Sequence, residues 1–209
     1  MGTIELSALG KLSGRIGPVV AYVTKDGRQH FRTYTKPADP CTPRQMACRM
    51  KLGLVNKSLS PLNKVIRRGY PGDAAAYRTL VGRALREAVE GAYPHFRFNY
   101  SKIAVARGLL QLPANVRMAC DAATREARFS WDVPLASATE PGSCADKVAI
   151  VTLHASRYPE VITHHAGRRD AGKAVFPLPG GWEAAQTHYW LYLTSPDLQQ
   201  YSNSLYLCD

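Results

Sequence analysis

Tyr93-Pro94-His95-Phe96-Arg97-Phe98-Asn99-Tyr100 is the stretch in which the chain changes its period. Before Pro94, apolar residues recur every three to four positions, as one face of a helix requires. From Phe96 onward they alternate: Phe96, Phe98 and Tyr100 are separated by Arg97 and Asn99. Alternation is the pattern of a strand with one buried face, because successive side chains point to opposite sides. The switch places a division near residue 95, giving two parts, 1–95 and 96–209.

Downstream, candidate strands lie near 101–107, 115–121, 126–132, 147–154, 159–165, 173–178, 187–194 and 203–208. Turn residues separate them, among them Pro113-Ala114, Pro141-Gly142, Gly167 to Gly172, Pro179-Gly180-Gly181 and Ser195-Pro196-Asp197. Many short strands at this spacing predict an antiparallel β-sandwich. Its core should include Trp131, Val148, Ile150, Val161, Val175, Leu191, Leu193 and Leu205.

Upstream, Thr42-Pro43-Arg44-Gln45 reads as a helix start: an N-cap, a proline at the first helical position and a capping-box glutamine. Met46, Met50 and Leu54, with Val55 beside them, would form its apolar stripe. Ser60-Pro61 opens a second short helix to about Arg68, which Tyr70-Pro71-Gly72 ends. A third helix spans about 74–90, with Tyr77, Leu80, Val81, Ala84, Leu85, Ala88 and Val89 on one face and Gly91 as its stop. Before the helices, 19–24 and 29–35 read as strands joined at Lys25-Asp26-Gly27, a strong hairpin signal. The proline-rich 36–43 is a connector. Gly10-Lys-Leu-Ser-Gly-Arg-Ile-Gly-Pro-Val-Val20 lacks the Gly-Lys-Ser/Thr ending of a phosphate loop. The expected fold is therefore α+β: a hairpin and a small helical unit, then the sandwich.

The chain has 209 residues, 45% of them hydrophobic and 21% charged, a composition that folds. No apolar run approaches the roughly 20 residues of a membrane helix, and the start lacks the pattern of a secretory signal. The expectation is a cytoplasmic or particle-associated protein with no membrane partner. Cys41, Cys48, Cys120, Cys144 and Cys208 form no CxxC and no zinc spacing, so reduced thiols are expected.

Charge is uneven. Residues 1–107 carry 19 Lys+Arg against 6 Asp+Glu, a net of +13, while 108–209 carry 8 against 10, a net of −2. Between Asp39 and Asp73 there is no acid. Such asymmetry points to a polyanion or an acidic partner for the first half. The candidate contact residues are Lys25, Arg28, Arg32, Arg44, Arg49, Lys51, Lys64, Arg67 and Arg68. A solvated basic face without a ligand explains the same charge equally well.

Signs of catalysis are sparse. His164-His165 is the most suggestive pair, but neighbours on a strand point to opposite faces. His154 and His188, on other strands, would have to approach one of them. No Gly-x-Ser-x-Gly and no His-Glu-x-x-His occurs. Cys41 precedes a helix start, yet nothing marks a base beside it. No enzyme, no cofactor and no metal are expected.

Two resemblances add to this reading. Ala127-Arg-Phe-Ser-Trp-Asp-Val-Pro134 is similar to the second strand of fibronectin type III domains, whose Trp packs in the core. Tyr189-Trp-Leu-Tyr-Leu-Thr-Ser195 and Tyr201-Ser-Asn-Ser-Leu-Tyr-Leu207 resemble the last hairpin of such domains. Across nearly the whole chain, the 10–20 opening, Thr42-Pro-Arg-Gln45 with Arg49, Tyr93-Pro94 with Phe96, Tyr100-Ser-Lys102, Arg107-Gly108 and Ser202-Asn-Ser-Leu-Tyr-Leu207 resemble an uncharacterised domain-of-unknown-function family of Bacteroidota. That resemblance implies an arrangement and no activity.

The functional expectation is a non-enzymatic structural protein: a subunit of a homo-oligomer or a larger particle, phage-derived particles included. Its basic half would contact an acidic partner, an acidic protein or nucleic acid. The alternative is a sequence-neutral nucleic-acid binder using the same bases.

Overall fold

The computed structural model describes residues 2–3, 12–121, 124–133, 145–155, 160–183 and 186–207. Cys144, Cys208 and the expected Pro141-Gly142 turn lie outside them. Contacts divide the chain into two compact units, Met1–Thr42 and Pro43–Asp209.

Unit 1 is a four-stranded antiparallel sheet. Strands β1 (Gly2–Thr3), β2 (Gly14–Ile16), β3 (Val19–Val23) and β4 (Gln29–Thr33) lie in the order β1-β4-β3-β2. The β3–β4 hairpin is where the sequence predicts it. Gly27 N–H donates to the Thr24 carbonyl at 2.9 Å and Thr24 N–H to the Arg28 carbonyl at 3.0 Å, closing the turn. The short β1 and β2 carry too few residues to show a period, and the sequence reading misses both. Only Ala21 and Gln29 are buried among the described residues of this unit. The Gln29 amide replaces missing backbone pairing: it donates to the Leu12 carbonyl at 2.6 Å and accepts from Leu12 N–H at 3.0 Å.

Unit 2 has three layers. Helices α1 (Pro43–Leu59), α2 (Asn63–Gly69) and α3 (Ala76–Glu87) come first. A small hairpin, β5 (Val89–Ala92) and β6 (His95–Phe98), follows. The remaining strands are β7 (Arg117–Asp121), β8 (Glu126–Ser130), β9 (Lys147–His154), β10 (Val161–Arg168), β11 (Lys173–Pro177), β12 (Thr187–Thr194) and β13 (Leu205–Leu207). They form a four-stranded sheet, β10-β9-β12-β13, and a three-stranded sheet, β11-β8-β7, all antiparallel.

The central strands β9 and β12 are buried on both faces. Val148, Ile150, Tyr189, Leu191 and Leu193 face the three-stranded sheet, where Ala127, Phe129, Trp131 and Phe176 complete one core. Ala149, Val151, Leu153, Trp190 and Tyr192 face the other way, onto Val55, Leu59, Leu62, Ile66, Leu80 and Ala84 of the helical layer. This is why Val148-Ala-Ile-Val151 and Tyr189-Trp-Leu-Tyr-Leu193 read as continuous apolar runs rather than alternating ones. It is also why the units divide at Thr42/Pro43 rather than near residue 95. The period change marks where helix gives way to strand, but helices and strands on either side share one core.

Several expectations need correction. The third helix ends at Glu87, and Val89–Ala92 is strand. Gly91 is a hairpin glycine at φ 90°, where a Cβ would stand 2.5 Å from the His95 carbonyl oxygen, and not a helix stop. Residues 101–107 form no strand. A 3-10 turn at Tyr100–Lys102, with Asn99 Oδ1 accepting from Ser101 N–H at 3.0 Å, precedes an extended run. Val175 is 54% exposed, because its neighbours Ala174 and Phe176 take the inward positions. Val161 and Leu205 are half-buried. Met50, 41% exposed, lies outside the buried face of α1, which begins at Val55 near its C-terminal end. Trp131, Val148, Ile150, Leu191 and Leu193 are buried as expected.

Candidate functional site

The nine candidate bases fall into three groups. In unit 1, Lys25 and Arg28 are exposed beside the turn and Arg32 is exposed on β4. Arg32 shares a strand face with His30, two positions away, and His30 stacks on Tyr22 across the hairpin at 5.5 Å. Arg28 precedes the strand. The sequence reading misses Arg15, whose guanidinium lies 3.8 Å from the centre of the Tyr34 ring, a cation–π contact between residues 19 positions apart.

On α1, Arg44 and Arg49 are exposed. Lys51 is half-buried, with its ammonium 5.0 Å from the Phe96 ring centre, so its charge is already engaged within the fold.

The third group surrounds α2. Lys64, Arg67 and Arg68 are exposed and make no ion pair among the described residues. One helical turn separates Lys64 from Arg68, so they share a side and line one cavity of about 390 Å³. Arg67 points elsewhere. Its Nε donates to Asn63 Oδ1 at 3.1 Å, and with Arg78 it lines a second cavity of about 530 Å³ beside Tyr70 and Asp73. A third cavity, about 290 Å³, is lined by Arg83 and Arg107 with Tyr70, Asp73 and Thr79. Tyr70 donates its hydroxyl to the Ala104 carbonyl at 3.1 Å. Burial raises the Tyr70 pKa, and the nearby Arg107 and Arg83 oppose that rise. Arg78, Arg83 and Arg107 are absent from the sequence-derived set because folding, and not spacing, brings them to this end of α2.

The histidines do not converge. His164 faces the three-stranded sheet and stacks on Phe176 at 3.9 Å, where burial lowers its pKa. His165 faces the opposite way and lines the Lys64/Arg68 cavity. His154 Nε2 accepts from Glu183 N–H at 3.3 Å and lies against Trp182. His188 Nδ1 lies 2.7 Å from the Tyr206 hydroxyl, and its ring packs 4.3 Å from Tyr100. Burial first, then nearby His154, pushes the His188 pKa down to about 4. Among the described residues no group of three or more His, Cys, Asp or Glu is placed to hold a metal. Cys41 and Cys48 are exposed. No helix of the described residues is long and apolar enough to cross a membrane.

The short motifs spread along the sequence meet in space. Ile103 to Leu110 runs between the helical layer and the end of the chain. Its Ile103 carbonyl accepts from the Trp190 indole at 2.9 Å, its Val105 N–H donates to Ser204 Oγ at 2.9 Å, and its Ala106 carbonyl accepts from Ser204 N–H at 3.1 Å. Arg107 N–H donates to the Gly69 carbonyl at 2.9 Å, and Leu110 N–H to that of Tyr201 at 3.0 Å. Gly108 passes so close to Tyr201 that a Cβ there would overlap the Tyr201 carbonyl oxygen. Ser202 Oγ accepts from the buried Leu193 N–H at 2.8 Å. Arg107-Gly108 and Ser202-Asn203-Ser204 are thus two halves of one clasp.

The chain belongs to DUF6266, a family of unknown function. The family matches residues 11–208, nearly the whole chain, so the clasp, the helical layer and both sheets of unit 2 all fall within it. No curated protein matches the chain.

Proposed function

We propose that this DUF6266 protein is a non-enzymatic assembly subunit, in which unit 1 is a basic arm that docks on another copy of the chain or on a larger particle. One observation carries the reading: unit 1 buries only Ala21 and Gln29 among its described residues. Ordering a residue's backbone costs about 1–2 kcal/mol, and a small sheet with almost no buried apolar surface recovers little of it. Docking on a partner supplies the missing burial, and Lys25, Arg28 and Arg32 give that contact a preference for acidic surfaces. Unit 2, with its two filled cores, is the rigid body that carries the arm. Its seven strands β7–β13, split three and four with Trp131 in the core, support a fibronectin type III-like reading of 96–209. The individual packing and hydrogen-bonding roles of His154, His164 and His188 support a non-catalytic part for them.

Light scattering on the full, nuclease-treated chain tests this. The expected outcome is a mass that rises with concentration in multiples of 23.0 kDa. A constant monomer mass at all concentrations overturns the homo-oligomer.

A second reading is favoured by one specific observation. Lys64, Arg67, Arg68, Arg78 and Arg107, drawn together around α2, make no ion pair among the described residues. Such bases suit a phosphate backbone read without sequence preference. A salt titration with single-stranded oligonucleotides decides it: binding that is absent at about 50 mM salt, where phosphate contacts are strong, removes this reading.

A further inference from the structure

The cavity shared by Lys64 and Arg68 has a composition that neither reading requires. Its floor is the face of the four-stranded sheet that packs on the helical layer. Thr163 and His165 alternate on β10, and Tyr192 and Thr194 on β12. Its rim is the side of α2 that carries the two bases. No acid lines it. Thr163, Thr194, Tyr192 and Tyr201 bring hydroxyls to the lining, and these make no hydrogen bond among the described residues. None of these hydroxyls is among the buried unpartnered polar atoms, so they are open to the cavity and to a ligand in it. Here the uncommitted hydroxyls border a cavity edged by two unpaired cations. Arg68 is close enough to Tyr192 to oppose the rise that burial causes in the phenol's pKa.

We propose that this cavity binds a phosphate monoester, with the phosphate at the Lys64/Arg68 rim and the organic part against the apolar wall. Two cations and several hydroxyl donors exceed what a carboxylate with a single charge accepts. They match a group that carries close to two charges and three acceptor oxygens. Arg68 adds the planar fork suited to two oxygens of one phosphate, and Lys64 a point charge. Val65, Val161 and Leu198 line the same space and provide the apolar wall. A volume of about 390 Å³ holds a ring-sized body together with its phosphate. The cavity lies within unit 2, and the failure of either proposal leaves the other standing.

The test is a calorimetric titration of the full chain with phenyl phosphate at constant ionic strength, with inorganic phosphate and benzoate as separate arms. The expected result is saturable one-to-one binding of phenyl phosphate. Inorganic phosphate binds more weakly, because it lacks the apolar part, and benzoate more weakly still. Arg68→Gln and Lys64→Gln each weaken binding by roughly tenfold, the loss of one charge-assisted contact. Both residues are exposed, so the thermal midpoints of the variants should match the parent and separate lost binding from lost fold. Arg67→Gln, on the other side of α2, should keep affinity within about twofold, as expected of a charge screened by solvent. Three results overturn the proposal: no saturable binding of phenyl phosphate, equal affinity for benzoate, or a loss on Arg67→Gln as large as that on Arg68→Gln. The last would show a diffuse positive field and no built site.

Discussion

Unit 1 and the sheets of unit 2 are both built from paired antiparallel strands, and they differ in what lies above and below those strands. In unit 2 the strands β9 and β12 have a packed layer on each face, with Trp190 and Tyr189 fully buried on opposite sides. In unit 1 the strands pair as regularly, yet Ile16 is 57% exposed and Tyr34 is 38% exposed. Backbone pairing exchanges water for protein partners and gains little net. Burial supplies most of the stability. A regular ladder is therefore no measure of how firmly a segment is held, and the two units should respond very differently to the same kind of damage.

The largest expected effect is in unit 2. Trp190→Ala removes a fully buried ring and its hydrogen bond to the Ile103 carbonyl, and should cost about 4 kcal/mol in urea unfolding. Phe31→Ala on the half-buried face of β4 should cost less than about 1 kcal/mol in the same experiment. Equal losses would break the contrast.

Gly108→Ala comes next. The new methyl meets the Tyr201 carbonyl rather than a flexible side chain, so the clasp must open, at about 3 kcal/mol. A neutral substitution would show that the clasp is not tight. Ser202→Ala should cost less, about 1–2 kcal/mol, because it leaves the buried Leu193 N–H without its acceptor.

Acidification gives a smaller and reversible test. The His188 pKa is about 4 in the fold against 6.5 when unperturbed, so the unfolded chain binds the extra proton between these values. The contribution of neutral His188 is complete above pH 6.5 and is lost progressively as pH falls toward 4. His188→Gln should flatten the stability profile of unit 2 in that window. An unchanged profile would mean that the imidazole titrates normally in the folded protein. Hydrogen exchange then sharpens the comparison: amides of β3 and β4 should exchange much faster than those of β9 and β12 in dilute protein, and slow down as the protein associates.

Much of this is legible in the sequence. Strands 147–154 and 187–194 coincide with β9 and β12, since long apolar runs flanked by turn residues leave few alternatives. Tyr77, Leu80, Val81, Ala84 and Leu85 of the expected third-helix stripe do pack on the core from the helix, because a 3.6-residue period is a local property of the chain, whereas Ala88 and Val89 lie beyond the helix end. The same reasoning misreads 101–107. Those apolar residues are buried, but their hydrogen bonds go to Ser204 and Trp190, about a hundred positions away in sequence for Ser204. No periodicity records such partners. For the candidate site, Lys64, Arg67 and Arg68 were visible as a cluster of charge. That Arg68 and Lys64 share a cavity with Thr163, His165 and Thr194 was not.

Local sequence determined the elements: hydrophobic period, turn residues and cap signals act within a few positions of one another, so they survive in one dimension. It also determined the excess of positive charge in the first half, which is a sum and needs no geometry. Only the tertiary structure decided that the helices lie over the sheet and share its core, that Arg107-Gly108 closes on Ser202-Asn203-Ser204, and which bases meet at one cavity. Those outcomes depend on which faces are brought together when apolar surface leaves water, and that choice is made by the whole of unit 2 at once.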